Sequence, residues 1–160
     1  MGRHWGNVTN VFETISYIVK EVDPNGFDLW FTGPGKPLNN QKHTTTPLQI
    51  VENRRKQGTT DINNKLDKIF EAYIDALKKP KTGMLSKFSK TVKPLSLYVL
   101  TDGVWEKDCN PRNLVETFVK QLDDLGKIKG RVGIQFISFG EDPIGLERME
   151  LLDSGLNVKL

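Results

Sequence analysis

The sequence predicts an α/β domain, a doubly wound and mostly parallel sheet flanked by helices, on three observations. Apolar residues at helical spacing alternate along the chain with short, nearly continuous apolar runs. Gly, Pro, Asn and Asp, the residues that turn a chain, punctuate the segments. At 160 residues there is room for one such domain and little else.

The first element is a helix over about Trp5–Val22, where Val8, Val11, Phe12, Ile15, Ile18, Val19 and Val22 recur at helical spacing with Asn7, Glu13 and Lys20 opposite. Asp23-Pro24-Asn25-Gly26 stops it, because proline disfavours helix before itself and glycine accepts positive φ. Phe27–Thr32 follows as a short strand. Gly33 to Pro47, rich in Gly, Pro, Asn and Thr, reads as a surface loop. A short helix runs through Leu48, Ile50 and Val51 to Arg54.

A longer amphipathic helix then presents Ile62, Leu66, Ile69, Phe70, Tyr73 and Leu77, and closes on Lys78 and Lys79 before Pro80. Leu95–Leu100 is the most strand-like stretch of the chain and ends in Thr101-Asp102-Gly103. The next helix carries Leu114, Phe118, Leu122 and Leu125, with Gly126 as its stop. Val132–Phe139 forms another strand, and a last helix holds Leu146, Met149 and Leu152. A doubly wound domain ordinarily opens on a strand, whereas this chain opens on a helix and ends on one. The expectation is a single domain over residues 1–160, truncated at both ends and lacking a first and a last strand.

Composition narrows the function classes. Hydrophobic residues make up 37% and charged residues 27%, a globular balance. No apolar run approaches the ~20 residues of a membrane span, and the opening MGRHWGNV lacks a leader pattern. A formal charge of +3 is too small to imply nucleic acid. One cysteine, Cys109, excludes an internal disulfide and any multi-cysteine zinc site. These features together predict an intracellular, cytoplasmic protein that binds neither membrane nor nucleic acid.

In open α/β sheets ligands sit beyond the carboxyl ends of the strands. Two stretches qualify: Gly58-Thr59-Thr60-Asp61-Ile62, which opens a helix, and Thr101-Asp102-Gly103, which closes a strand. A hydroxyl and a carboxylate are hard donors suited to a cation such as Mg²⁺. Each stretch also has a plainer role. Thr60 or Asp61 caps a helix equally well, and Asp102-Gly103 begins a turn.

The run Gly58-Thr59-Thr60-Asp61-Ile62-Asn63-Asn64-Lys65-Leu66 resembles the second ligand loop of von Willebrand factor type A (vWA) domains, a G-G-T-(D/N)-I-x-x-x-L pattern with Thr59 in place of the second glycine. Leu95–Gly103 resembles the fourth strand of that family with its terminal T-D-G, and the strand Val132–Phe139 and the helix around Arg148 continue the likeness. The resemblance implies a vWA/Rossmann-like fold and a metal-ion-dependent adhesion site (MIDAS) in which Thr60 and Asp102 are ligands. The family's first ligand motif, D-x-S-x-S, occurs nowhere in the chain; Asp153-Ser154-Gly155 is its nearest echo and has the wrong spacing. With those donors gone, Mg²⁺ or Mn²⁺ is expected to bind weakly. The lost strand is central in the family, so its neighbours are left with unpaired backbone groups unless they close on each other or recruit another chain.

Other signals read as structure. Gly33-Pro34-Gly35-Lys36-Pro37 lacks phosphate-loop spacing and reads as a turn. Arg54-Arg55-Lys56 and Lys78, Lys79 and Lys81 are solvated basic faces. Trp5, Trp30 and Trp105 are packing residues, Trp105 being also close enough to Asp102 to line a ligand rim. Cys109 has no base near it in sequence, and His4 and His43 are surface or packing residues.

The leading functional expectation is a non-catalytic protein–protein interaction module with a degenerate metal site, its partner offering an acidic side chain to the ion. One alternative is a truncated structural fragment without metal binding. A less favoured one is an α/β phosphoryl-transfer enzyme with Asp102 as nucleophile, against which Val104 stands where a second acid is wanted.

Overall fold

The computed structural model describes residues 4–33, 35–54, 61–79, 92–127 and 131–155. Nine elements follow in the order α1 (Trp5–Val22), β1 (Phe27–Leu29), β2 (Leu38–Gln41), α2 (Thr45–Asn53), α3 (Ile62–Lys78), β3 (Leu95–Thr101), α4 (Pro111–Asp124), β4 (Val132–Ser138) and α5 (Pro143–Gly155) among these residues. The chain is a mixed α/β protein. The described strands form two separate two-stranded sheets, an antiparallel β1–β2 pair and a parallel β3–β4 pair.

The antiparallel pair departs from the predicted loop over Gly33–Pro47. Gly26 is the cause: its φ of +86° turns the chain, and a β-carbon there would strike the Gln41 carbonyl, so only glycine lets β2 approach. Asp23 shapes the same turn by accepting the Asn25 N–H at 2.9 Å. Asp28 then accepts the N–H of Asn40, which sits at φ 53°, at 2.7 Å. The irregular register between Phe27 and Leu29 is confined to this hairpin.

Strands β3 and β4 run parallel in unbroken register from Leu95↔Val132 to Thr101↔Ser138. Parallel neighbours need a crossover, and α4 supplies it. Asn110 caps α4 by accepting the Asn113 N–H, Pro111 opens it, and Gly126 stops it at φ +62°.

The two strands alternate in burial. Leu95, Leu97 and Val99 of β3, with Val132, Ile134 and Phe136 of β4, pack on a core built from Ile62, Leu66, Phe70 and Ile74 of α3 and from Val115, Phe118 and Leu122 of α4. Phe70 and Phe118 stack at 4.1 Å, and α5 closes the cluster with Leu152. The opposite face carries exposed Ser96, Tyr98, Gly133 and Gln135, so the sheet is covered fully on one side only.

Helix α1 is fastened to the rest at both ends. His4 lies against Gly140, just beyond β4, and Asp23 pairs with Lys93, just before β3, at 2.6 Å. The helix therefore runs from the carboxyl end of β4 to the amino end of β3. Along its length Trp5 donates to the Val51 carbonyl at 2.9 Å, and Phe12 meets Phe27 edge-to-face. No helix among the described residues is long and apolar enough to cross a membrane.

Candidate functional site

The candidate site lies at the carboxyl end of β3. Thr101, buried, begins the turn by accepting the Gly103 N–H on its hydroxyl at 3.0 Å. Asp102 is half-buried, and its Oδ1 accepts the Val104 N–H at 3.2 Å. Gly103 sits at φ +74°, a conformation that costs a residue with a β-carbon about 1–2 kcal/mol. Local hydrogen bonds thus set the direction of Asp102 before any ligand is considered.

Two helices hold this turn. Arg148 of α5 donates from Nη1 to the Trp105 carbonyl at 2.8 Å and to the Gly103 carbonyl at 3.3 Å, and its guanidinium lies 5.4 Å from the Trp105 ring centroid. Trp105 itself is 5% exposed and belongs to the core cluster, so it packs rather than lining a rim. From the other side, Cys109 donates its thiol to Oδ1 of Asp61 at 3.5 Å. Asp61 is the N-cap of α3 and accepts the Asn64 N–H at 2.9 Å with the same oxygen.

The Asp61–Cys109 contact brings the start of α3 to the loop that follows Asp102. Thr60, the expected hydroxyl donor, lies outside the described residues together with Gly58 and Thr59. Asp61 takes the capping role that the sequence left open between it and Thr60. Among the described residues, no group of three or more His, Cys, Asp or Glu side chains is arranged to hold a metal. The donor chemistry at Asp102 suits a hard cation that keeps most of its waters, and the protein donors are few.

Sequence reasoning missed the part played by Gly145 and the contact between Asp61 and Cys109. Gly145, the third residue of α5, packs its backbone on the Asp102 carbonyl, and the only sequence signal was a glycine inside a helical pattern. The other flagged residues are placed as structure. Arg54 lies over the Phe31 ring at 3.8 Å, His43, Lys78 and Lys79 are exposed, and His4 and Trp5 are half-buried. Arg55, Lys56 and Lys81 lie outside the described residues.

No protein-family model, no curated protein and no solved structure matches this chain.

Proposed function

We propose that the chain is a non-catalytic protein–protein interaction module of the vWA type, a doubly wound fold carrying a degenerate MIDAS-like site at Thr60 and Asp102. The observation that carries this reading is the position of Asp102 at the carboxyl end of a parallel strand, with the N-cap of α3 drawn to the following loop by the Asp61–Cys109 contact. Thr60 precedes that N-cap by one residue. A hydroxyl and a carboxylate there would hold Mg²⁺ or Mn²⁺ through few protein bonds, leaving coordination positions to water and to one acidic side chain of a partner protein. The ion's chemistry is that of a Lewis-acid contact point. The chain's own work is to orient Asp102: the Val104 N–H donates to its carboxylate, while the Thr101 and Arg148 hydrogen bonds hold the turn that carries it. The reading places the protein inside the cell.

Calorimetric titration with Mg²⁺ and with Mn²⁺ tests it. Heat that saturates, and that disappears in Asp102→Ala and in Thr60→Ala, is the expected result. Heat unchanged by both substitutions removes the site.

A further inference from the structure

Asn25 is the one asparagine of the chain that glycine follows, and it is exposed in the turn between α1 and β1. In that dipeptide the asparagine side chain is open to attack by the next backbone nitrogen, because glycine sets no β-carbon in the way. The fold keeps the glycine in place. Gly26 lies at φ +86°, and a β-carbon there would strike the Gln41 carbonyl.

Asp23 engages both reacting groups. Its carbonyl accepts the Gly26 N–H at 3.0 Å, which occupies the attacking nitrogen. Its Oδ1 accepts the Asn25 side-chain amide at 3.1 Å and the Asn25 N–H at 2.9 Å, which anchors the amide under attack. The two bonds to Oδ1 lie at the surface, where water competes for each and local opening costs little.

We propose that Asn25 is a site of spontaneous deamidation in the folded protein, and that the Asp23 side chain restrains the reaction. Hydroxide removes the Gly26 amide proton, and the freed nitrogen bonds to Cγ of Asn25. The Cγ–Nδ2 bond breaks, and Nδ2 takes a proton from water and leaves as ammonia, so that a cyclic imide remains. Water then opens the imide. Addition at Cγ breaks the new N–Cγ bond and gives aspartate. Addition at the main-chain carbonyl breaks the original Asn25–Gly26 peptide bond and gives isoaspartate, with the chain continuing through Cγ. Both products lack the amide that donated to Asp23, and isoaspartate lengthens the main chain by one carbon at the turn.

Peptide mapping by mass spectrometry of the purified chain, aged in mildly alkaline buffer, tests the proposal. The acid form is expected at residue 25 before any other asparagine, with isoaspartate read by an isoaspartyl methyltransferase. Asp23→Ala removes the side-chain acceptor and is expected to convert about two- to ten-fold faster, the ratio set by one hydrogen bond of ordinary net strength. Asp23→Asn gives up the Lys93 pair but keeps an oxygen acceptor, so it should convert at close to the wild-type rate. Pro24 has no N–H and spares the introduced amide from the same reaction. A second comparison covers a failure of Asp23→Ala to fold: urea frees the wild-type turn and should raise its rate by at least the same factor. Conversion at residue 25 no faster than at the other asparagines of the folded chain overturns the site. An Asp23→Ala rate no higher than that of wild type or of Asp23→Asn overturns the restraint, as do equal rates with and without urea.

Discussion

Gly103 and Gly145 meet backbone to backbone, and neither position has room for a β-carbon. One built on Gly103 would strike the Gly145 main chain, and one built on Gly145 would overlap the Asp102 carbonyl. This contact fastens the turn after β3 to the first turn of α5. Gly145→Ala is expected to destabilise the protein by about 1–3 kcal/mol, the range for forcing atoms into a filled space. Gly103→Ala adds a further cost of about 1–2 kcal/mol from its φ of +74°. Urea unfolding gives both values, and an unchanged midpoint for both variants would show that the turn and α5 are apart in solution.

Arg148 is the second fastening of the same turn, and its removal has a different signature. Its two hydrogen bonds to the Trp105 and Gly103 carbonyls are charge-assisted, and such bonds contribute about 1.5–3 kcal/mol each. Arg148→Met keeps the aliphatic stem and removes every donor. It is expected to lower stability by roughly that range. The Trp105 indole resonance should shift while those of Trp5 and Trp30 stay in place. A shift shared by all three tryptophans would mean that the substitution disturbs the whole fold.

The legible parts of the fold are those with strong periodicity. Helices α1, α3 and α4 announce themselves through Val8 and Phe12, through Ile62, Leu66 and Phe70, and through Phe118 and Leu122, which are among the residues that become buried. Strands β3 and β4 are legible because Leu95–Leu100 and Val132–Phe139 are apolar runs bounded by turns. Strand β2 was hidden, since Leu38-Asn39-Asn40-Gln41 is polar and has no alternation. It exists because Gly26 admits the Gln41 backbone, a contact fifteen residues away that no local pattern encodes. At the candidate site Asp102 was legible from its place at a strand end. Its supports, Gly145, Arg148 and the Asp61–Cys109 pair, are separated from the groups they touch by more than forty residues.

The centre of the core predicts a large effect from one ring. Phe118 is 1% exposed, stacks on Phe70 at 4.1 Å and meets Tyr73 edge-on at 6.2 Å. Aromatic pairs of this kind add about 0.5–1.5 kcal/mol to the burial itself. Phe118→Ala is expected to cost about 3–5 kcal/mol, a large part of the ~5–15 kcal/mol that a domain possesses. Phe118→Leu, which refills most of the space, should cost distinctly less. Equal losses for the two variants in denaturant titrations would show that the ring's neighbours collapse onto either cavity.

The Asp23–Lys93 pair ties α1 to the start of β3 and predicts how stability changes with acid. The Asp23 carboxyl is held below its ordinary value, first by the hydrogen bonds from Lys93 Nζ and next by the Asn25 N–H. A carboxyl depressed in the folded state favours folding at any pH above its unfolded value. That contribution fades as the solution is acidified below about pH 4 and is gone once the folded group takes up its proton. Both partners are substantially solvent-accessible, so salt screens the attraction. Asp23→Asn is therefore expected to be less stable than wild type at neutral pH and to converge on it in acid. Lys93→Met should reproduce the trend, and raising the ionic strength should narrow the gap in each case. Urea midpoints measured across the acid limb decide the matter: a difference between wild type and Asp23→Asn that stays constant with pH would mean that this carboxylate does not couple α1 to β3.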